Sequence, residues 1–432
     1  MREIAARLEE AGHETWCVGG AVRDALLGIT NLDWDLATAA RPEQVRKLFR
    51  RTVPVGIEFG TVGVLDDDGL MHEVTTFRRD VRTDGRHAVV EFGASLDDDL
   101  ARRDFTINAI AWSPSRRLLH DPYGGRGDLA AGVVRAVGSA AERMREDRLR
   151  ALRAIRFAAR FGFEIERDTW QAIVESAPHM GRLSAERVKQ ELEKTMDQVP
   201  RPSLALRRWR DGGALAVLVP ALARVADDVL EALDFLPPPV LPRRPQRRIN
   251  RLAMLFAWLP ARDAVAALKS LRFSNQDTAW IAALAERWRP FLARVEAPLV
   301  RGERLDDVTL RRAASEAGRM RVAPLFRLVA ARWAARRARG DDAPSRAQAA
   351  AHYRRLVRIA FRDPIEIGDL AVDGEDLKGL GIPPGPELRK ILVALLDWVL
   401  EDPARNTRDA LLARARQLWD AASGGAAAEP DS

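Results

Sequence analysis

Cysteine is nearly absent from the 432 residues, with Cys17 the only one. A single thiol excludes an internal disulfide and fits a reducing compartment. Histidine is scarce too, with six scattered residues, which argues against a metal centre built on imidazoles. Long apolar runs are missing: no stretch of about eighteen uncharged apolar residues occurs, so no segment reads as a membrane-spanning helix. The opening MREIAARLEEAGHE carries charge throughout and lacks the apolar run of a secretory signal, so a cytoplasmic chain is expected. Lysine is sparse, and the formal net charge of +7 rests almost wholly on arginine. Arginine's planar fork suits phosphates and bases, but a GC-rich genome enriches arginine equally well. Charge alone therefore assigns no partner.

What is present divides in two. The length exceeds one ordinary core, so two to four domains are expected. The first third mixes periods: ETWCVGG, LDWDLAT, TVGVLDDDG, MHEVTTF and VVEF read as strands, AVRDALLG and RPEQVRKLFR as helices. FRRDVRTDGRH, from Phe77 to His87, is polar and basic and reads as a loop reaching over a site or as a solvated hairpin tip. DPYGGRGDL breaks any regular element. From about Ala140 onward apolar residues recur at helical spacing, in EDRLRALRAIRFAARF, SAERVKQELEKTM, RINRLAMLFAWL and ELRKILVALLDWVLE. The fold expected is an α+β domain followed by an all-α region. PPPVLPRRPQRR, from Pro237 to Arg248, is the clearest internal break, and the small, polar SGGAAAEPDS at the end is expected to be disordered.

Four stretches carry candidate chemistry. In VGGAVRD, Gly19 and Gly20 let backbone N–H groups approach a phosphate, with the positive end of a helix behind them. Arg23, on that helix's first turn, reaches the same phosphates; a Gly-Gly pair alone is more often only a turn. Asp33 and Asp35, two residues apart on an extended strand, share a face. Such a pair suits Mg²⁺, which prefers oxygen ligands and keeps waters or phosphates as the others. Two such ions would activate an attacking hydroxyl and neutralise a departing pyrophosphate, whereas an ordinary acidic strand edge is the plainer reading of D-x-D alone. Glu73, on a neighbouring strand, either completes that metal set or holds an arginine such as Arg78.

ARRDFTINAIA sets Arg103, Asp104 and Asn108 among apolar residues, where polar groups pair with each other or hold a ligand. Arg103 and Asn108 suit ribose hydroxyls and a triphosphate; Asp104 also suits a buried brace to an arginine. In EDRLRALRAIRF, Asp147, Arg150, Arg153 and Arg156 recur every third residue and wind slowly around one helix. Asp147 can accept from an exocyclic amino group while Arg150 donates to the adjoining ring nitrogen or carbonyl. Cytosine and adenine share that edge; guanine and uracil do not. Salt bridges on a solvated helix explain the same spacing, at only about 0.2–0.5 kcal/mol per pair. SAERVKQEL, with Ser184 as N-cap, reads as a structural helix whose Glu186, Arg187 and Glu191 form ion pairs. His120-Asp121 matches the dipeptide of metal phosphohydrolases, but the further His and Asp partners are missing, so that activity is rejected.

Taken together, VGGAVRD, LDWDLAT, GIEFGTVGVL, EVTTFR, RRDFTINAIA, DPYGGRGDL, EDRLRALRAIRFAARFGFEIE and SAERVKQEL resemble, in order, the motifs of the class II tRNA nucleotidyltransferases. These are the CCA-adding enzymes and their bacterial poly(A) polymerase relatives. The resemblance covers roughly the first two hundred residues specifically. DGEDLKGLGIPPGPELRKIL resembles a tail motif of the CCA-adding type, with Arg389 departing from a frequent glycine and leaving the local helix start open. The resemblance implies a nucleotidyltransferase palm as head (1–138), then a neck for base recognition (139–200), a body (201–300) and a tRNA-binding tail (301–423), with 424–432 disordered. It implies that Asp33 and Asp35 bind two catalytic Mg²⁺ ions, that Gly20, Arg23 and Arg103 contact nucleotide, and that Asp147 and Arg150 template the base. Arg153 and Arg156 would lie on phosphate or in support. The expected reaction adds C and A from CTP and ATP to the tRNA acceptor end, with no membrane and no obligate protein partner. An A-adding enzyme, a poly(A) polymerase and a non-catalytic RNA-binding relative are the alternatives.

Overall fold

Alternation and helical periodicity build two different bodies along the chain. The computed structural model describes residues 1–30, 33–83, 88–236 and 246–424. They divide into two compact units, Met1–Ala223 and Arg224–Ser432.

The first unit begins with α1 (Arg2–Glu10), β1 (Thr15–Val18), α2 (Gly20–Leu26), β2 (Asp35–Thr38) and α3 (Pro42–Leu48). It continues with β3 (Thr52–Gly56), β4 (Thr61–Leu65), β5 (Met71–Thr76) and the hairpin of β6 (Arg78–Thr83) with β7 (Ala88–Phe92). Then come α4 (Leu96–Ala101), β8 (Ala111–Ser113), β9 (Leu118–His120), α5 (Gly125–Ala131) and β10 (Val133–Val134). Seven strands form one sheet in the order β3-β4-β5-β2-β1-β8-β9, antiparallel except where β2 runs parallel to β5. Trp16, Val18 and Ala37 from the central strands pack with Phe77, Leu96, Leu100, Ala109, Ala111 and Val137, so β1 is covered on both faces. Cys17 is fully buried there, and burial raises its thiol pKa to about 12. Of the basic stretch Phe77–His87, Arg78–Thr83 forms one arm of that hairpin, and residues 84–87 lie outside the described residues.

Helices take over after that: α6 (Ala140–Glu146), α7 (Leu149–Phe161), α8 (Arg167–Ser176), α9 (Ala185–Gln198), α10 (Pro202–Asp211) and α11 (Ala214–Leu218). A two-residue β11 (Glu164–Ile165) pairs with β10. The arginine ladder is not one helix. Asp147 is extended (φ −150°, ψ 106°) between α6 and α7, and its Oδ1 accepts the Leu149 N–H at 3.0 Å. Aspartate favours such local bonds to the backbone over continuing a helix. In α7, Ala151, Leu152, Ala154, Ile155 and Ala158 are buried, and Gly162, in the left-handed region at φ 73°, ends it. Ser184 caps α9 through the Arg187 N–H, as expected from the sequence.

The second unit is helical throughout its described residues: α12 (Asp227–Ala232), α13 (Gln246–Ala257), α14 (Ala261–Ser270), α15 (Asn275–Val300), α16 (Asp307–Ala317), α17 (Val322–Arg339), α18 (Arg346–Arg362), α19 (Gly374–Gly379), α20 (Pro386–Glu401) and α21 (Arg408–Gly424). Most of the proline-rich break and the chain end lie outside the described residues. Gly385 caps α20, which starts at Pro386, so Arg389 sits inside its first turns. A cleft of about 890 Å³ is lined by Arg294, Arg312, Glu316, Arg389, Lys390 and Asp397. No described helix is long and apolar enough to cross a membrane.

Candidate active site

The sheet of the first unit and helices α7 and α9 enclose a cleft of about 750 Å³. Gly19, Gly20, Arg23, Asp35, Arg103, Asp104, Asn108, Asp147, Arg150, Arg153 and Arg156 all line it. Residues predicted from four separated stretches are therefore gathered around one space.

Asp35 opens β2, while Asp33 precedes the strand and is exposed, so the two carboxylates do not share one regular strand. The Asp33 charge still acts on Asp35. Burial, then the charges of Glu73 and Asp33, push the Asp35 carboxyl up to about 6, against the opposing effect of Arg103. Glu73 lies on β5, one step beyond the Leu36–Val74 pair, which puts its charge beside Asp35. Among the described residues, however, no three His, Cys, Asp or Glu side chains gather closely enough to hold a metal ion. Glu73 thus adds to the negative potential without completing a three-ligand set. The surplus of carboxylate over cation at Asp33 and Asp35 suits a hard divalent ion that draws its other ligands from water or phosphate.

The glycine pair opens onto an arginine. Gly19 has φ 77°, and a Cβ there would lie 2.9 Å from Arg103 Nη1, so only glycine lets that guanidinium come so close. Arg103 Nη2 donates to Asp99 at 3.0 Å and Nη1 to the Asn108 backbone carbonyl at 3.4 Å, which fixes the guanidinium at the cleft wall. Arg23 is more enclosed than its place on the first turn of α2 suggests. It is 4% exposed, donates to Asp24 at 2.7 Å and to Asn108 Oδ1 at 2.6 Å, and lies 4.9 and 4.8 Å from the ring centroids of Phe157 and Phe161.

Asn108 passes that connection on. Its Nδ2 donates to Asp104 Oδ1 at 2.8 Å, and Asp104 Oδ2 accepts from Arg153 Nε at 2.8 Å. Burial alone would raise the Asp104 carboxyl, yet Arg153 and Asn108 hold it below the usual range. Arg23, Asn108, Asp104 and Arg153 form one chain of bonds from α2 to α7, so the brace expected of Asp104 is present. Arg156, in the cleft wall, is tied to the Glu191 carboxylate and to Gln198 Oε1.

The two groups matched to base edges are occupied internally. Asp147 Oδ2 accepts from Arg187 Nη2 at 2.6 Å. Arg150 donates to Glu146 and to the backbone carbonyls of Arg143 and Arg102, the last two at 3.2 and 3.0 Å. Sequence reasoning missed Arg102, Arg160, Arg187, Lys194 and Gln198 as lining residues. In α9 the signal was available as polar residues at 187, 191, 194 and 198, one face of a helix.

Known proteins resemble the chain in the same regions. The Poly A polymerase head domain matches residues 15–135, and the "Probable RNA and SrmB- binding site of polymerase A" matches residues 162–225. A protein of Geobacillus kaustophilus named CCA-adding enzyme is 35% identical over 418 residues, 95% of this chain and 94% of that one. The crystal structure of the Bacillus stearothermophilus CCA-adding enzyme in complex with CTP superposes with a TM-score of 0.71 at 31% identity, covering 98% of both chains. The Thermotoga maritima CCA-adding enzyme complexed with tRNA-CCA shares the fold, with a TM-score of 0.63 at 22% identity over 96% of this chain and 94% of that one.

Proposed function

The chain belongs to the CCA-adding enzyme family, and from that premise we propose that it extends the 3′ end of tRNA with C and A taken from CTP and ATP. The observation that carries the site assignment is the single cleft, where Asp35 and Arg103 face Asp147, Arg150 and Arg153. The carboxylates belong to the palm and the base-reading groups to the neck. Similarity to a protein named CCA-adding enzyme, 35% identical over 95% of this chain, favours full CCA addition over A addition alone.

The reaction joins the tRNA 3′-hydroxyl oxygen to the α-phosphorus and releases pyrophosphate. Asp33 and Asp35 would hold Mg²⁺, which when bound supplies charge neutralisation at the reacting oxygens. Arg103, held by Asp99 and by the Asn108 carbonyl, places its positive charge at the triphosphate, and Gly19 and Gly20 leave room for it. Asp147 accepts the exocyclic amino group of cytosine or adenine, and Arg150 donates to the neighbouring ring nitrogen. Arg150 makes that bond by exchanging its hold on Glu146. The buried chain Arg23–Asn108–Asp104–Arg153 keeps the two walls in register, so positioning rather than a strong base accounts for most of the acceleration. Arg389 and Lys390, in the second unit's cleft beside the ion-paired Arg294–Glu316 and Arg312–Asp397, would supply cationic contacts for RNA.

The test is incubation with tRNA lacking one, two or three terminal nucleotides, with CTP and ATP supplied separately. Full addition requires CTP on the shorter primers and ATP on the one ending in CC. Incorporation only onto the CC primer would favour the A-adding reading, and long A tails on unstructured RNA the polymerase. Asp33→Ala is expected to lower incorporation by roughly a thousandfold or more while tRNA affinity stays near the parent value.

A further inference from the structure

Helix α9 contributes more than a scaffold. Arg187, Glu191, Lys194 and Gln198 recur four, three and four residues apart, and three of them line the cleft; the fourth, Glu191, is buried against Arg156. Arg187 meets Asp147 across forty residues of sequence and has no other side-chain partner among the described residues.

The Asp147 carboxylate is held at both ends. Oδ1 accepts the Leu149 backbone N–H at 3.0 Å, and Oδ2 accepts Arg187 Nη2 at 2.6 Å. A carboxylate gripped on both oxygens cannot turn about its Cβ–Cγ bond, so its plane is set before a nucleotide arrives. Each oxygen carries two lone-pair sites, so Oδ2 keeps one acceptor position for a base while Arg187 stays in place. The Leu149 contact is backbone and survives side-chain change; Arg187 alone among side chains fixes the second oxygen.

We propose that Arg187 is a positioning residue for base selection. It holds the Asp147 carboxylate so that its open acceptor meets the amino group shared by cytosine and adenine. A base presenting a carbonyl there, uracil or guanine, faces a fixed negative oxygen that cannot swing away. This role rests on the reading of Asp147 as a base-contacting group.

The test compares kcat/KM for CTP against UTP on a primer lacking CCA, and for ATP against GTP on a primer ending in CC. Arg187→Met is expected to lower both discrimination ratios about tenfold, the scale of one charge-assisted hydrogen bond. KM for tRNA and the thermal midpoint should barely move, since the pair is partly exposed. Arg187→Lys keeps the charge and one donor and should recover part of each ratio; it also serves should the Met variant fail to fold. A uniform fall for all four nucleotides with unchanged ratios would overturn the proposal and leave Arg187 structural. Asp147→Ala separates the two levels: ratios unchanged there would remove the base-reading assignment itself. Ratios collapsing in Asp147→Ala but not in Arg187→Met would remove only the role of Arg187.

Discussion

Removing the Glu191 carboxylate while Arg156 stays in place is expected to destabilise the first unit by about 2–4 kcal/mol. The pair joins α9 to α7 with side chains only 2% and 4% exposed. Stranding one charge of a buried pair costs about 3–5 kcal/mol. Arg156 would keep Gln198 Oε1 at 3.0 Å and the Phe157 ring at 4.4 Å, which together offset about 1 kcal/mol. For a unit of this size, Glu191→Ala should lower the thermal midpoint on the order of 10 °C. The double variant Arg156→Leu/Glu191→Leu removes both charges and should fall within about 2 kcal/mol of the parent. Urea unfolding followed by far-UV circular dichroism and tryptophan fluorescence reads all three proteins. A Glu191→Ala cost below about 1 kcal/mol, or a double variant as weak as the single one, would refute the reasoning. The same double variant locates Arg156 in function. A nucleotide KM within about threefold of the parent fits a supporting place in the cleft wall, whereas a rise beyond about tenfold would put its guanidinium on the nucleotide.

Other outcomes follow from single residues. Burial alone would raise Asp99 and Asp104, yet Arg103 and Arg102 beside the first, and Arg153 and Asn108 beside the second, hold both low. Their stabilisation is therefore complete above the unfolded carboxylate pKa of about 4 and is lost as pH falls through the lower folded values. Urea midpoints should drop below about pH 4, and Asp104→Asn should flatten that slope; an unchanged slope would contradict the assignment. Gly125→Ala would place a Cβ 2.2 Å from the Thr106 carbonyl oxygen, and since backbone cannot step aside cheaply, a loss of about 2–3 kcal/mol in urea unfolding is expected. Gly19→Ala combines φ 77° with a Cβ 2.9 Å from Arg103 Nη1; displacing that guanidinium should raise KM for both CTP and ATP while leaving tRNA binding in filter assays unchanged.

Local pattern carried much of this protein into the sequence reading. Thr15–Val18, Thr61–Leu65 and Met71–Thr76 fold as strands where β-branched and apolar residues cluster, and the gathering of Gly19, Asp35, Arg103 and Arg150 followed from residues with little reason to be polar in those places. What stayed hidden lies where tertiary partners decide. Three-residue spacing from Asp147 through Arg150, Arg153 and Arg156 reads as one helix, so periodicity hid the break at Asp147, whose carboxylate binds the Leu149 N–H. Arg23 lines the cleft, and its packing against Phe157 and Phe161, more than a hundred residues later, shows in no local pattern. Arg187 reads as an ordinary helix-surface charge because its partner lies forty positions earlier. Burial at long range is invisible to any local window.

The sealed thiol at the centre of the sheet has a practical consequence. With its proton retained up to about pH 12 and no access to solvent, the sulfur offers almost no thiolate to an electrophile. A cysteine placed on the surface of either unit would be the one group a maleimide dye could find. Pairs of such substitutions, one in each unit, would report the distance between them during successive additions without first stripping the native residue.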